Sequence, residues 1–125
     1  MVDFKNKAYF KLKAFDNDEG QKVVQDILIK NEEIIASFSS MRDKLIFTDK
    51  RIISVNVQGI TGKKIDYTSL PYSKIQAYSV ETAGMLDLDA EIDITISGLG
   101  TIKFELTNSA DIKDICMKIS EKVLN

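Results

Sequence analysis

Phe47-Thr48-Asp49-Lys50-Arg51-Ile52-Ile53 opens the stretch whose reading decides the fold, and Leu86-Asp87-Leu88-Asp89-Ala90-Glu91-Ile92-Asp93-Ile94-Thr95-Ile96-Ser97-Gly98 closes it. Between them apolar and polar residues alternate for several residues at a time, broken by Gly or Pro clusters. Period-2 alternation is the mark of strands with one buried face. The stretch contains no constellation of nucleophile, base and orienting acid, so it speaks to fold and assembly rather than to chemistry.

Working outward, the spacing predicts seven short strands. The first covers Glu33 to Ser39 and places Ile34, Ala36 and Phe38 on one side. A short polar link leads to a second strand, Lys44 to Thr48, and Asp49-Lys50 turns the chain into a third, where Ile53, Val55 and Val57 alternate with Ser54 and Asn56. Gly59 and Gly62 bracket a loop and can supply positive φ. Lys64 to Thr68 and about Lys74 to Glu81 follow as strands, with the sole proline, Pro71, between them. A turn at Thr82-Ala83-Gly84-Met85, where Gly84 supplies the freedom, precedes the clearest strand. There Leu88, Ala90, Ile92, Ile94 and Ile96 face the core, and Asp89, Glu91, Asp93 and Thr95 face out. The seventh strand buries Ile102, Phe104 and Leu106.

The period then changes. Asn108 or Ser109 caps a helix whose stripe is Ile112, Ile115, Cys116, Ile119 and Val123. At the other end, Phe4, Ala8, Leu12 and Phe15 fall at helical spacing among Lys5, Lys7, Lys11 and Lys13. A basic amphipathic helix of this kind can lie on an anionic membrane, or its apolar residues can pack on the domain or on a neighbouring subunit. Asp16 to Asp18 then starts a second helix, running to about Lys30. The expected organisation is a basic, aromatic extension over residues 1–19 and one domain over 20–125. The fold class is mainly β: a bent sheet or partly open barrel plugged by the C-terminal helix, after a helical N-terminal segment.

Composition narrows function. The chain of 125 residues is one domain's worth and carries 17 basic against 19 acidic side chains, a balance that does not suit nucleic acid. There is no histidine, which removes Ser-His-Asp and Cys-His catalysis and His-ligated metal. A single cysteine, Cys116, allows no disulfide within the chain and points to a reducing cytoplasm. No apolar run reaches membrane-spanning length, and the N-terminus lacks a secretory h-region. We expect no cofactor, no metal and no enzymatic activity.

Phe47-Thr48-Asp49-Lys50-Arg51, Gly62-Lys63-Lys64, Ile75 through Val80-Glu81-Thr82-Ala83-Gly84, and Leu86-Asp87-Leu88-Asp89-Ala90-Glu91 resemble, in order and spacing, the bacterial pleckstrin-homology (PH) domain family. The resemblance covers roughly residues 20 to 124. It implies two nearly orthogonal antiparallel sheets with a C-terminal helix. It also implies a ring-shaped homo-oligomer and does not imply an enzyme, while PH-like domains bind lipids, peptides or proteins on different surfaces; we expect a self-assembling scaffold for an unknown protein partner.

Three residue sets then need an expectation. Arg42, Lys44, Lys63 and Lys64 form the candidate anionic-ligand set, because phosphoinositide-binding PH domains grip phosphates with basic residues around the first hairpin; weak contact with anionic membrane is the alternative function. Gly59-Ile60-Thr61-Gly62-Lys63-Lys64 is no P-loop: its glycines are too close and a strand follows, so no helix N-terminus meets a phosphate. Asp87, Asp89, Glu91 and Asp93 line one strand face at about 7 Å intervals, which suits a wet sheet face better than a calcium loop. Within the family resemblance, Asp87, Asp89 and Glu91 become a candidate subunit interface, opposite Lys63, Lys64 or Lys103 of the next copy.

Overall fold

The computed structural model of the chain describes residues 9–41, 43–60, 64–81, 89–107 and 112–124. Among them are eight strands, two α-helices and a 3-10 helix, Tyr72–Lys74, between the fifth and sixth strands. The strands are β1 (Tyr9–Ala14), β2 (Ile34–Ser39), β3 (Asp43–Thr48), β4 (Arg51–Gln58), β5 (Lys64–Pro71), β6 (Ile75–Glu81), β7 (Ala90–Ile96) and β8 (Gly100–Thr107). The helices are α1 (Asn17–Val24) and α2 (Ile112–Val123). One sheet holds every strand in the order β5-β4-β3-β2-β1-β8-β7-β6. β2 to β5 form an antiparallel meander, as do β6 to β8. The seven strands and the C-terminal helix read from the sequence are all present.

The eighth strand was not expected. The helical spacing of Phe4, Ala8, Leu12 and Phe15 predicts a helix, yet residues 9–14 are extended and join the two meanders. β1 pairs antiparallel with β2 and parallel with β8. Leu12 is fully buried there. Two rows of unpaired backbone groups outweigh a weak local preference for helix. Residues 1–8 lie outside the described residues.

The sheet curves around one core and carries a second on its back. Leu45, Phe47, Ile52, Ile92, Ile94, Phe104 and Leu106 are buried on the inner face, with Ile112, Ile115 and Ile119 of α2. Phe38 and Phe47 meet edge to face with centroids 5.8 Å apart. On the outer face Val24 of α1 packs with Ile46, Ile53 and Val55, and Phe15, Ile27, Leu28 and Tyr67 close over them. The middle strands β3 and β4 are therefore buried on both sides, which explains the run of four buried residues from Ile52 to Val55. A register shift between Ile34 and Ala36 turns Ile34 to the outer cluster, away from the side expected with Ala36 and Phe38.

α1 is shorter than its expected run to Lys30. Asp16 caps it by accepting from the Asp18 N–H at 2.7 Å, and the helix ends at Val24. The chain then turns so that Ile27 and Leu28 reach the outer cluster. Gly20 faces β2 at close quarters. A Cβ there would stand 2.0 Å from Ser37 Oγ and 2.9 Å from Ser37 Cβ. The absent side chain is what lets α1 lie against the sheet.

Gly20→Ala should therefore lower stability by about 1–3 kcal/mol despite the better helix propensity of alanine. Urea denaturation checks this. A midpoint equal to or above wild type would show that the helix is free to move out.

Candidate functional site

The Phe47–Arg51 motif builds a lock. Thr48 ends β3, Arg51 begins β4, and Asp49-Lys50 turns between them. Asp49 Oδ1 accepts from the Glu33 N–H at 3.0 Å, while the Asp49 N–H donates to the Glu33 carbonyl at 2.9 Å. Thr48 Oγ1 accepts from the N–H groups of Lys50 and Arg51 at 3.0 Å each and donates to Glu32 Oε2 at 2.6 Å. The Arg51 guanidinium grips Glu32 bidentately, Nε to Oε2 and Nη2 to Oε1, each 2.9 Å. Its remaining donors reach the Ile27 carbonyl at 2.6 Å and Ser69 Oγ at 2.9 Å.

Glu32 is buried to the end of its side chain. Burial alone would raise its pKa, but hydrogen bonds from Arg51, Thr48 and the Ile29 N–H, together with the Arg51 charge, hold it below the ordinary value. On the inner side Tyr72 donates its hydroxyl to the Thr48 carbonyl at 2.7 Å. Burial, then the charges of Asp49 and Glu32, push that phenol's pKa upward. Each of these bonds ties protein to protein.

The candidate anionic-ligand residues are spread out. Arg42 and Lys63 lie outside the described residues. Lys44 and Lys64 stand at one end of the sheet, since Asp43 pairs with Asn56 and Gln58 with Lys64. Alternation puts Lys44 on the outer face with Ile46, and Lys64 on the inner. At that end two large apolar side chains project into water: Met41, 96% exposed, and Ile60, 105% exposed. Gly59 beside Ile60 has φ +77°, the positive value that its turn role requires. Gly62 and Gly84, the other expected turn glycines, lie outside the described residues.

Of the expected acidic residues, Glu91 meets a counter-charge in the same chain. Asp87 lies outside the described residues, and Asp89 stands just before β7. Glu91 opposes Glu81 of β6 and Glu105 of β8, and Asp93 opposes Lys103. Lys103 Nζ reaches Glu91 Oε1 at 2.8 Å. That bond holds Glu91 below, and Lys103 above, its ordinary pKa. Asp93 moves upward through burial, then through the negative charge of Glu91 and a hydrogen bond with it. Among the described residues no group of three His, Cys, Asp or Glu side chains is placed to hold a metal ion.

Sequence reasoning missed the Glu32–Arg51 pair and a shallow hollow on α2. Cys116, Met117, Ser120, Glu121 and Leu124 line the hollow. Cys116, expected on the buried stripe, is half-buried at its wall. Tyr78 of β6 donates to Ser120 Oγ at 2.8 Å.

The family model described as Bacterial PH domain matches residues 3–123. A Bacillus subtilis protein, Uncharacterized protein YjqA, is 45% identical over 97 residues, which is 76% of this chain and 78% of that protein. Among solved structures, a DUF1696 family protein with a pleckstrin-homology domain from Shewanella loihica superposes with a TM-score of 0.75 at 35% identity, over 91% of this chain and 98% of that one. A pleckstrin homology domain from Shewanella amazonensis gives 0.64 at 36% identity, over 96% and 94%.

The lock predicts a pH dependence. Because folding lowers the pKa of Glu32, its stabilisation is whole above the unfolded value of about 4.3 and is lost as pH falls through the lower folded value. Glu32→Gln, which leaves Arg51 uncompensated, should cost about 3 kcal/mol near neutrality. The gap from wild type should narrow as pH drops toward about 3. Urea midpoints at several pH values test it; a gap that stays constant would contradict the assignment.

Proposed function

The chain belongs to the bacterial PH domain family, and from that membership we propose that it is a non-enzymatic PH-like domain that assembles with copies of itself and serves as a scaffold for protein contacts. The observation that carries this reading is the open sheet. Its order begins at β5 and ends at β6, so each of these strands has one flank without a strand partner among the described residues. Unpaired strand edges are templates for further strands.

β3 and β4 bury both of their faces within the chain, so surface for partners falls to edges, loop ends, the outer side of β5 with Ile65 and Ser69, and the outer face of β6–β8. That outer face carries Glu81, Glu91, Asp93 and Glu105 against Lys103. With Asp89, it is a surface that Lys64 of a neighbouring copy complements. In the assembly we propose, copies close into a ring, the arrangement the family resemblance implies. Closed symmetry is the common outcome for soluble homo-oligomers.

A second reading, peripheral membrane contact, is favoured by one feature: Met41 and Ile60 both project at the end of the sheet that carries Lys44 and Lys64. Apolar tips flanked by lysine suit an anionic interface, where each basic residue adds about 1 kcal/mol.

Light scattering at micromolar concentration should return a mass several times that of one chain; a monomer contradicts self-assembly. Reversing Asp89 and Glu91 to lysine should lower that mass. For the second reading, wild type should sediment with vesicles rich in anionic lipid at low salt, and the double variant Met41→Asp, Ile60→Asp should stay in the supernatant. Wild type that stays in the supernatant removes the membrane reading.

A further inference from the structure

The inner face of the first meander changes character along its length. Register sets rows across β3, β4 and β5: Phe47 with Ile52 and Leu70, then Leu45 with Ser54 and Thr68, then Asp43 with Asn56 and Asp66. Alternation puts all of these side chains on the inner face, since Leu45, Phe47, Ile52 and Leu70 belong to its core. The first row is apolar, the second mostly polar and the third wholly polar. In the third the Asn56 amide donates to Asp43 Oδ1, and Asp66 Oδ1 accepts from Thr68 Oγ1 at 2.7 Å. That bond from Thr68 holds Asp66 below its ordinary pKa.

The polar rows are covered. Ser54 is fully buried and Thr68 nearly so, and Asp43, Ser54, Asp66 and Thr68 each hold a further hydrogen-bond or charge partner. Buried polar groups need a polar cover. The stripe of α2 is not one, because Ile112, Ile115 and Ile119 pack with the apolar residues. Chain direction shows what reaches this end. β1 runs antiparallel to β2, with Lys13 opposite Ser39. Followed back toward its start, the chain leaves β1 past the β2–β3 turn, which leads into Asp43. Residues 1–8 therefore set out from the end of the sheet that carries the polar row. They read Met-Val-Asp-Phe-Lys-Asn-Lys-Ala, two lysines against one aspartate. Their reach suffices. A segment of that length extends up to about 26 Å, and β1 lies four strand spacings from β5, about 19 Å along the sheet.

We infer that residues 1–8 fold back across this end of the sheet and seat Lys5 and Lys7 against Asp43 and Asp66. The chain's own basic segment is then the occupant of the polar end of the inner face. Lysine suits the place, because a flexible stem carries a head with three donors to carboxylates. Lys64, one row further out beside Gln58, adds a single positive charge, which the two aspartates outnumber. The contact is an internal stopper. A partner reaches this face only by displacing the segment, and an anionic group that does so meets two carboxylates. The inference stands apart from self-association, because every group it uses belongs to one chain.

Charge reversal and cross-linking test it on the full chain. Lys5 and Lys7 precede β1, so the double variant Lys5→Glu, Lys7→Glu keeps the sheet, which circular dichroism checks. Its amide NMR spectrum should shift at Asp43, Asn56 and Asp66 relative to wild type. Shifts confined to residues 9–14 and their neighbours in β2 and β8 overturn the docking. In the wild type, a carbodiimide should join Lys5 or Lys7 to Asp43 or Asp66, read by mass spectrometry of the digest. With isotope-labelled and unlabelled chains mixed, each linked peptide should carry one isotope throughout. Links that join labelled to unlabelled chains overturn docking within the chain, and links to Glu91 or Asp93 instead place the segment elsewhere and overturn the site.

Discussion

The bidentate grip of Arg51 on Glu32 is the interaction on which the arrangement of the first meander depends. Residues 25–33 cross from the outer face, where α1 lies, to the start of β2. They have no ladder of their own. Arg51 fixes them by holding Glu32 and the Ile27 carbonyl at once, and its contact with Ser69 adds β5. Thr48 completes the carboxylate's shell and passes the constraint through its carbonyl to Tyr72 on the inner side. Removing either charge leaves the other buried or half-buried without its partner, a cost far above that of losing a surface pair. Loosening this segment would lift Ile27 and Leu28 from Ile46, Ile53 and Val55. The lock thus sustains the outer core as well as the turn.

Burial on both faces has a consequence for function. The side of the first meander that a simple half-buried sheet would offer to partners is occupied by α1, and the inner side by α2 and the aromatic core. The remaining surfaces are of three kinds: strand edges, the loop end with Met41 and Ile60, and the charged back of β6–β8. The PH-like frame is therefore a rigid holder of edges and tips. Its buried acid, Glu32, is spent on internal hydrogen bonds.

Much of this was legible in the residues. Alternation located β2 to β8, the period change located α2, and Asp16 marked the start of α1 as an N-cap. The misses share a cause: each depends on contacts distant in sequence. β1 looks helical by spacing, and it becomes a strand because β2 and β8 offer backbone partners on both flanks. Ile34 changes face through a register shift. The Phe47–Arg51 motif was recognised as a signature, yet its purpose needed Glu32, nineteen residues before Arg51. An acid between Asn31 and Glu33, just before a strand, is a weak signal on its own; it gains meaning only with an arginine that can reach it. The acidic strand face was legible, while the capture of Glu91 by Lys103 depended on the β7–β8 register.

The assembly proposed for this chain rests on the open edges of its sheet, β5 and β6. Amide hydrogen exchange along both strands, followed as protein concentration rises, tests it most directly. Edge amides should exchange freely in dilute solution and become protected as copies associate. Exchange at both edges that does not vary across a concentration range in which the mass rises would contradict the proposal.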